Sequence, residues 1–232
     1  MPRIGIDARK IADGGIGRYV REILGRLPAT IPEAEVVAAV GPGGGTTLRR
    51  IAPSVRGIPV SSRGYSLREH VELAAVFARA RCDLVHMPHY VVPALLRVPR
   101  LVVTVHDLIH CKHPRSALHA LYGRTMLRVV RERADLVLVP SRAVADDLVN
   151  LAGFDPGRIE VVFNGVPEVF LEGPPVSRQA VAAFERLHGL AAPWVLNVTN
   201  GLPHKGLDVL LAALQGVSGL GLAVAGRGSG RP

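Results

Sequence analysis

The chain has 232 residues, with 28 lysines and arginines against 19 aspartates and glutamates, a formal charge of +9, 48% hydrophobic residues and 20% charged ones. That balance excludes a disordered polypeptide and supplies a core for one large domain or one and a half ordinary ones. Aromatic residues at 4% leave few stacking platforms, and no stretch of 18 uninterrupted apolar residues offers a membrane-spanning helix.

The first element is a short apolar strand, Arg3-Ile4-Gly5-Ile6, followed by Gly14-Gly15-Ile16-Gly17-Arg18-Tyr19 and an amphipathic stretch from 17 to 27. Strand, glycine loop and helix start together bring bare backbone N–H groups and a helix dipole toward an anionic ligand. The strict dinucleotide fingerprint asks for a further glycine where Val20 stands, so alone these glycines serve equally well as a tight connection. Strands are expected at 35–40, 58–60, 84–86, 101–106, 136–139 and 159–163, and helices at 67–81, 117–133 and 142–152. Continuous apolar runs such as Leu101-Val102-Val103 and Leu136-Val137-Leu138-Val139 fit strands buried on both faces, the mark of a parallel sheet covered by helices. Ser141 is placed to cap the helix that follows it. Gly41-Pro42-Gly43-Gly44-Gly45 reads as a mobile connection, since no Lys-Ser/Thr follows to make a phosphate cradle.

The pattern breaks around Gly173-Pro174-Pro175, a helix follows over 177–190, and a new strand–helix–strand begins with 194–198, 206–215 and 220–225. The expected architecture is α/β. A Rossmann-like, doubly wound parallel sheet occupies 1–172, a linker with its connecting helix 173–192, and the start of a second Rossmann-like domain 193–232. A single strand–helix–strand of about 40 residues hardly closes a core, so the sequence reads as truncated inside that second domain.

Cys82 and Cys111 lack metal-ligand spacing and nine histidines are scattered, so no metal site is expected and a reduced, cytoplasmic setting is the default. The chain does not open with a basic segment and an apolar run, so no secretory leader is expected. The basic residues are dispersed, which points away from nucleic acid as a partner and leaves an anionic membrane surface as a candidate. A Rossmann oxidoreductase would need an acidic residue after the second strand, and the stretch from Val40 to Thr47 holds none.

Read in order, the motifs resemble those of GT-B glycosyltransferases of the family-four type, over essentially the whole chain. They are Ile4-Gly5-Ile6-Asp7-Ala8-Arg9 with the glycine loop; Asp83-Leu84-Val85-His86 with Pro88-His89-Tyr90; and Val103-Thr104-Val105-His106-Asp107-Leu108. There follow Arg133-Ala134-Asp135 with Val139-Pro140-Ser141; Ile159-Glu160-Val161-Val162 with Asn164-Gly165-Val166; and Asn197-Val198 through Pro203-His204-Lys205-Gly206 to Val224-Ala225-Gly226.

The resemblance implies a retaining glycosyltransferase that moves a mannose-like or glucose-like hexose from a GDP- or UDP-sugar to a glycan or lipid-linked acceptor in envelope polysaccharide synthesis. It would work in the cytoplasm or at the inner face of the membrane. No metal or other cofactor is implied, because main-chain amides and basic side chains stabilise the leaving diphosphate. By resemblance, Gly14, Gly15, Asn200 and Lys205 bind the donor, with Asn200 standing where many members carry an arginine. His106 faces the transferred sugar as the catalytic residue; capping the loop together with Asp107 is its other reading. Arg18, His86, His89 and Asp107 lie on the acceptor side, and His110 and His113 fall near the same edge. The family's paired glutamates lie beyond residue 232; Glu160 and Glu168 share their spacing by coincidence. The hinge departs from the family at Pro167, where aspartate is usual. An acceptor-binding module or inactive fragment, lacking most of the donor domain, is the alternative function.

Overall fold

The computed structural model describes residues 1–62, 66–114, 116–166 and 168–226, and within them all side chains except those of Glu168, Val169 and Pro203. Pro167, where the hinge motif departs, and the closing stretch 227–232 lie outside the described residues. The chain divides into two compact units, Met1–Gly165 and Val166–Pro232.

In the first unit, β1 (Arg3–Asp7), α1 (Gly15–Thr30), β2 (Glu35–Val40), α2 (Gly44–Ile51), β3 (Arg56–Pro59) and α3 (Leu67–Arg79) form one wing. The other comprises β4 (Leu84–Met87), β5 (Arg100–Thr104), α4 (Ile109–Lys112), α5 (Ala117–Arg133), β6 (Leu136–Val139), α6 (Arg142–Ala152) and β7 (Ile159–Val161). All seven strands pair in parallel in the order β3-β2-β1-β4-β5-β6-β7. The chain thus winds outward in one direction from β1 and then in the other from β4. Between these two strands, where Ile6 is in register with His86, the order reverses. In open α/β sheets, ligands bind at such a switch point, beyond the carboxyl ends of the strands.

The expected α/β class and parallel sheet are present, and the helices place two cores on the sheet. One is built around Leu73, Phe77, Val85, Met87, Val103 and Val130, the other around Ile6, Ile11, Val20, Leu24 and Val40. Serine caps start three of the helices: Ser66, Ser116 and Ser141 each accept a backbone N–H three residues on.

The segment 41–45 differs from expectation, because α2 starts inside it. Gly43 takes the left-handed conformation at φ 77°, and a Cβ on Gly44 would stand 2.9 Å from the Ile11 side chain. These glycines serve a turn and a close packing contact, and sequence composition alone does not separate that from mobility. α1 also runs past the expected 27 through Pro28 to Thr30.

The second unit contains α7 (Glu168–Leu171), α8 (Arg178–His188), β8 (Trp194–Val198), α9 (Leu207–Leu214) and β9 (Gly221–Ala225). β8 and β9 pair in parallel, with α9 as the crossover. Ser177 caps α8, Gly189 ends it at φ 63°, and the Trp194 indole N–H donates to Glu185 Oε1 at 3.0 Å.

Candidate functional site

The carboxyl ends of β1, β4 and β5 collect the polar residues that the apolar strands cannot keep inside. Thr104, the last residue of β5, places Oγ1 2.8 Å from His86 Nε2 and 2.9 Å from Tyr19 Oη, a three-member hydrogen-bonded chain in which His86 and Thr104 are buried and Tyr19 half-buried. Tyr19 comes from the first turns of α1. Its ring meets His106 edge-on at 4.9 Å and His86 at 6.1 Å. His106 follows β5 by two residues and donates from Nε2 to the Pro88 carbonyl at 3.2 Å, which leaves Nδ1 as the acceptor nitrogen of a neutral ring.

Burial is the first cause that keeps these imidazoles neutral. It pulls His86 down to about 4, with help from His106, and it also lowers His106 against the opposing pull of the Pro88 carbonyl and Asp107. His89 falls to about 3 through burial, assisted by Lys10 and neighbouring histidines. It stacks on Tyr90 at 4.5 Å, and the Tyr90 hydroxyl is hydrogen-bonded to His110 Nδ1. Of the histidines expected to cluster around this edge, His86, His89 and His110 lie with His106 in this set of contacts. His113 is exposed.

A second cluster lies beside it. Arg9 donates from Nε and Nη2 to the two carboxylate oxygens of Asp7, each at 2.8 Å, and from Nη2 to Glu69 Oε1 at 2.6 Å. Burial opposes the Arg9 charge, yet Asp7 and Glu69 outweigh it and raise the guanidinium above its ordinary value. These residues, with Lys10, Asp13, Ser62 and His89, line a cavity of about 310 Å³. Ser62 Oγ is buried there. Glu72 fastens this wall by accepting the Ser61 and Ser62 backbone N–H groups at 2.9 and 2.7 Å, and those bonds, the Ser61 amide first, hold its carboxyl at about 2. With three carboxylates against two cations, the cavity suits a hydroxyl-rich ligand better than an anion.

The glycines of the loop separate into two kinds. A Cβ on Gly17 would stand 2.5 Å from the Lys10 carbonyl oxygen, so glycine there lets α1 pack against the loop leaving β1. Gly14 and Gly15 are exposed, neither has positive φ, and a Cβ on either would meet nothing within 4 Å. No packing contact asks for glycine at 14 or 15. The amino end of α1 has no side-chain cap and no acidic residue in its first turn, so its positive end is uncompensated by its own first turn.

The family model for Glycosyltransferase Family 4 matches residues 13–169, from this glycine loop through the last strand of the sheet and beyond. The chain belongs to that glycosyltransferase family. Among solved structures it is similar to HepE of Anabaena in complex with UDP-glucose, at 19% identity and TM-score 0.71, covering 97% of this chain and 60% of that one. It is also similar to a glycosyltransferase from Rickettsia africae (16% identity, TM-score 0.59, 92% and 56%) and to the lipopolysaccharide outer core galactosyltransferase WaaB in its apo form (14%, 0.60, 99% and 62%). At these identities the likeness is one of fold. The chain spans about 60% of the length of these structures. No curated protein sequence matches it.

The other expected site residues of this family-4 chain are placed as follows. Arg18 is exposed on the first turn of α1. Asp107 is exposed, and its Oδ1 accepts the Ile109 N–H at 3.0 Å, so it orders the turn into α4. Asn200 and Lys205 belong to the second unit: Asn200 Oδ1 accepts the Leu202 N–H at 3.3 Å, and Lys205 is exposed at the end of a single 3₁₀ turn before α9. Among the described residues, no group of three or more histidines, cysteines or acids could hold a metal ion, and no helix is long and apolar enough to cross a membrane.

Sequence reasoning did not assign roles to Tyr19, Thr104 or Glu69. The signal for Glu69 was its place four residues before Leu73 on the buried face of α3, where a carboxylate needs a partner in the sheet.

Proposed function

We propose that this family-4 chain acts in glycosyl transfer from a nucleotide-diphosphate sugar, UDP- or GDP-linked, with a mannose-like or glucose-like hexose as the transferred group. The acceptor is a glycan or lipid-linked saccharide of envelope polysaccharide synthesis, and the anomeric configuration is retained. The observation that carries this reading is the switch-point crevice. There an open helix amino end with two bare glycines lies on the same sheet edge as a chain of neutral imidazoles and a carboxylate-lined cavity.

Each part has a chemical task. The diphosphate leaves with growing negative charge, and the amides around Gly14 and Gly15 can approach it because no Cβ intervenes. By resemblance to the family, Lys205, a point charge, and Asn200 are the donor-binding residues of the second unit, and the reading calls for no metal. His106, held by Pro88 and Tyr19 with Nδ1 as acceptor, faces the transferred hexose, where it orients a sugar hydroxyl. His86 positions Thr104 and Tyr19 behind it. Acceptor hydroxyls enter the cavity at Asp13, Ser62 and His89, with Arg18 at its approach and Asp107 ordering the adjacent turn. The work is done in the cytoplasm, at the inner face of the membrane when the acceptor is lipid-linked.

The alternative is an acceptor-binding module that transfers no sugar. It is favoured by the carboxylate-lined cavity, which suits a hydroxyl-rich ligand. A screen of UDP-glucose, UDP-galactose and GDP-mannose with the purified chain and a lipid-linked saccharide, read by release of UDP or GDP, separates the two. Turnover that falls about a hundredfold or more in His106→Ala supports transfer, since removing one positioned transition-state group costs on that scale. Glycan binding with no nucleotide release supports the module.

A further inference from the structure

Away from the crevice, a cavity of about 540 Å³ opens between α4, α5 and α6. Its wall carries Lys112, Arg124, Arg128 and Arg131 beside the buried Leu127 and the exposed Leu151. On α5 the spacing of 124, 128 and 131 puts the three arginines on one face, successive turns apart. Their surroundings do not neutralise them equally. Lys112 is paired with Asp147 of α6, whereas Arg124 and Arg128 are exposed and form no ion pair among the described residues. Arg131 is aimed inward: its Nη1 donates to the Ala152 carbonyl at 3.0 Å. Gly153 makes room for it, since a Cβ there would stand 3.1 Å from Nη1. Three arginines and one paired lysine thus line a single concavity. The donor fork of arginine matches phosphate oxygens, and clustered like charges raise the local potential for an anion.

We infer that the α4–α5–α6 cavity is a second anion site, which takes a phosphate-bearing ligand through Arg124, Arg128 and Arg131. It is separate from the crevice and independent of the reading given for it. Toward the amino end of α5, Leu121 lies beside the same face and is largely exposed, so the phosphate can belong to a free phosphate ester or to a lipid headgroup whose chain lies along this leucine.

The test follows amide NMR signals of the 232-residue chain during titration with inorganic pyrophosphate, alongside co-sedimentation with phosphatidylglycerol vesicles and with phosphatidylcholine vesicles. The variants are R124Q/R128Q and, as a control for charge lost elsewhere, R49Q/R50Q on α2. Saturating shifts at 108–112, 124–131 and 151–153 are expected. R124Q/R128Q should weaken them by roughly tenfold or more, the scale of losing a charge-assisted hydrogen bond, while R49Q/R50Q leaves them in place. Binding to anionic vesicles alone, lost in R124Q/R128Q and kept in R49Q/R50Q, supports the site and assigns its phosphate to a lipid. Shifts confined to 14–18, equal responses in both variants, or no response to either probe overturn it. Thermal unfolding of R124Q/R128Q at the parent temperature shows that its loss is not one of folding.

Discussion

The two units of this chain are built from the same strand–helix–strand pattern and reach different ends. In the first, seven strands give the helices a surface to cover, and Leu73, Phe77, Val85 and Met87 lose all contact with solvent. In the second, two strands and their helices leave Leu187, Val198 and Val209 more than two-thirds exposed, and among the described residues only Thr199 is buried. Local rules are obeyed equally well in both: Ser141 and Ser177 cap their helices, and Gly153 and Gly189 end them in the left-handed conformation. Caps and turns form elements, and burial on both sheet faces stabilises them. A site is as well placed as the elements beneath it, so His86, Thr104 and His106 rest on a rigid frame and Lys205 on a lightly supported turn.

Amide hydrogen exchange can break this comparison outright. β1, β4 and β5 should exchange only through global unfolding, and β8 and β9 should exchange at least about a hundredfold faster through local opening. Equal protection of both sheets would remove the distinction.

The next largest effect is expected at the buried ion cluster. Glu69→Ala leaves Arg9 with Asp7 alone in a buried setting and should cost about 3–5 kcal/mol in chemical denaturation. Glu185→Ala, which removes a partner of Trp194 in the second unit, should cost about 1 kcal/mol.

Acidification sharpens the comparison in another way. His86 and His89 are held near 4 and 3 in the fold, below the roughly 6.5 of an unfolded chain. The unfolded state then binds protons first. Their contribution to stability is present above pH 6.5 and is lost as pH falls toward 4 and then 3. Each histidine contributes a slope of up to about 1.4 kcal/mol per pH unit. Urea unfolding of His86→Asn between pH 7 and 4 should show a correspondingly flatter dependence.

The smallest effects separate the glycines. Gly17→Ala should destabilise by about 1–3 kcal/mol because its Cβ meets the Lys10 carbonyl, whereas Gly15→Ala should stay within about 0.5 kcal/mol in thermal unfolding.

These results bear on what a sequence can announce. The strands were legible because β-branched apolar runs such as 101–103 and 136–139 have few other uses, and the parallel sheet followed from their being apolar on both faces. α2 was hidden because three consecutive glycines look alike in composition, although Gly43 makes a turn and Gly44 a packing contact. His86 and His106 could be singled out as polar residues ending apolar runs. Thr104 and Tyr19, which join them, are common residue types whose role depends on contacts 85 positions apart. Glu69 pairs with Arg9 across 60 positions, a relation set by strand order.

The central claim is that the crevice beyond β1, β4 and β5 receives the diphosphate of a sugar donor on the bare backbone of Gly14 and Gly15. Calorimetric titration of UDP-glucose and GDP-mannose into the parent chain and into the Gly14→Ala/Gly15→Ala variant tests it most directly. The account predicts saturable binding of at least one donor, weakened about tenfold or more in the variant while its unfolding temperature holds. Equal affinity in both proteins, or no donor binding to the parent, would contradict it.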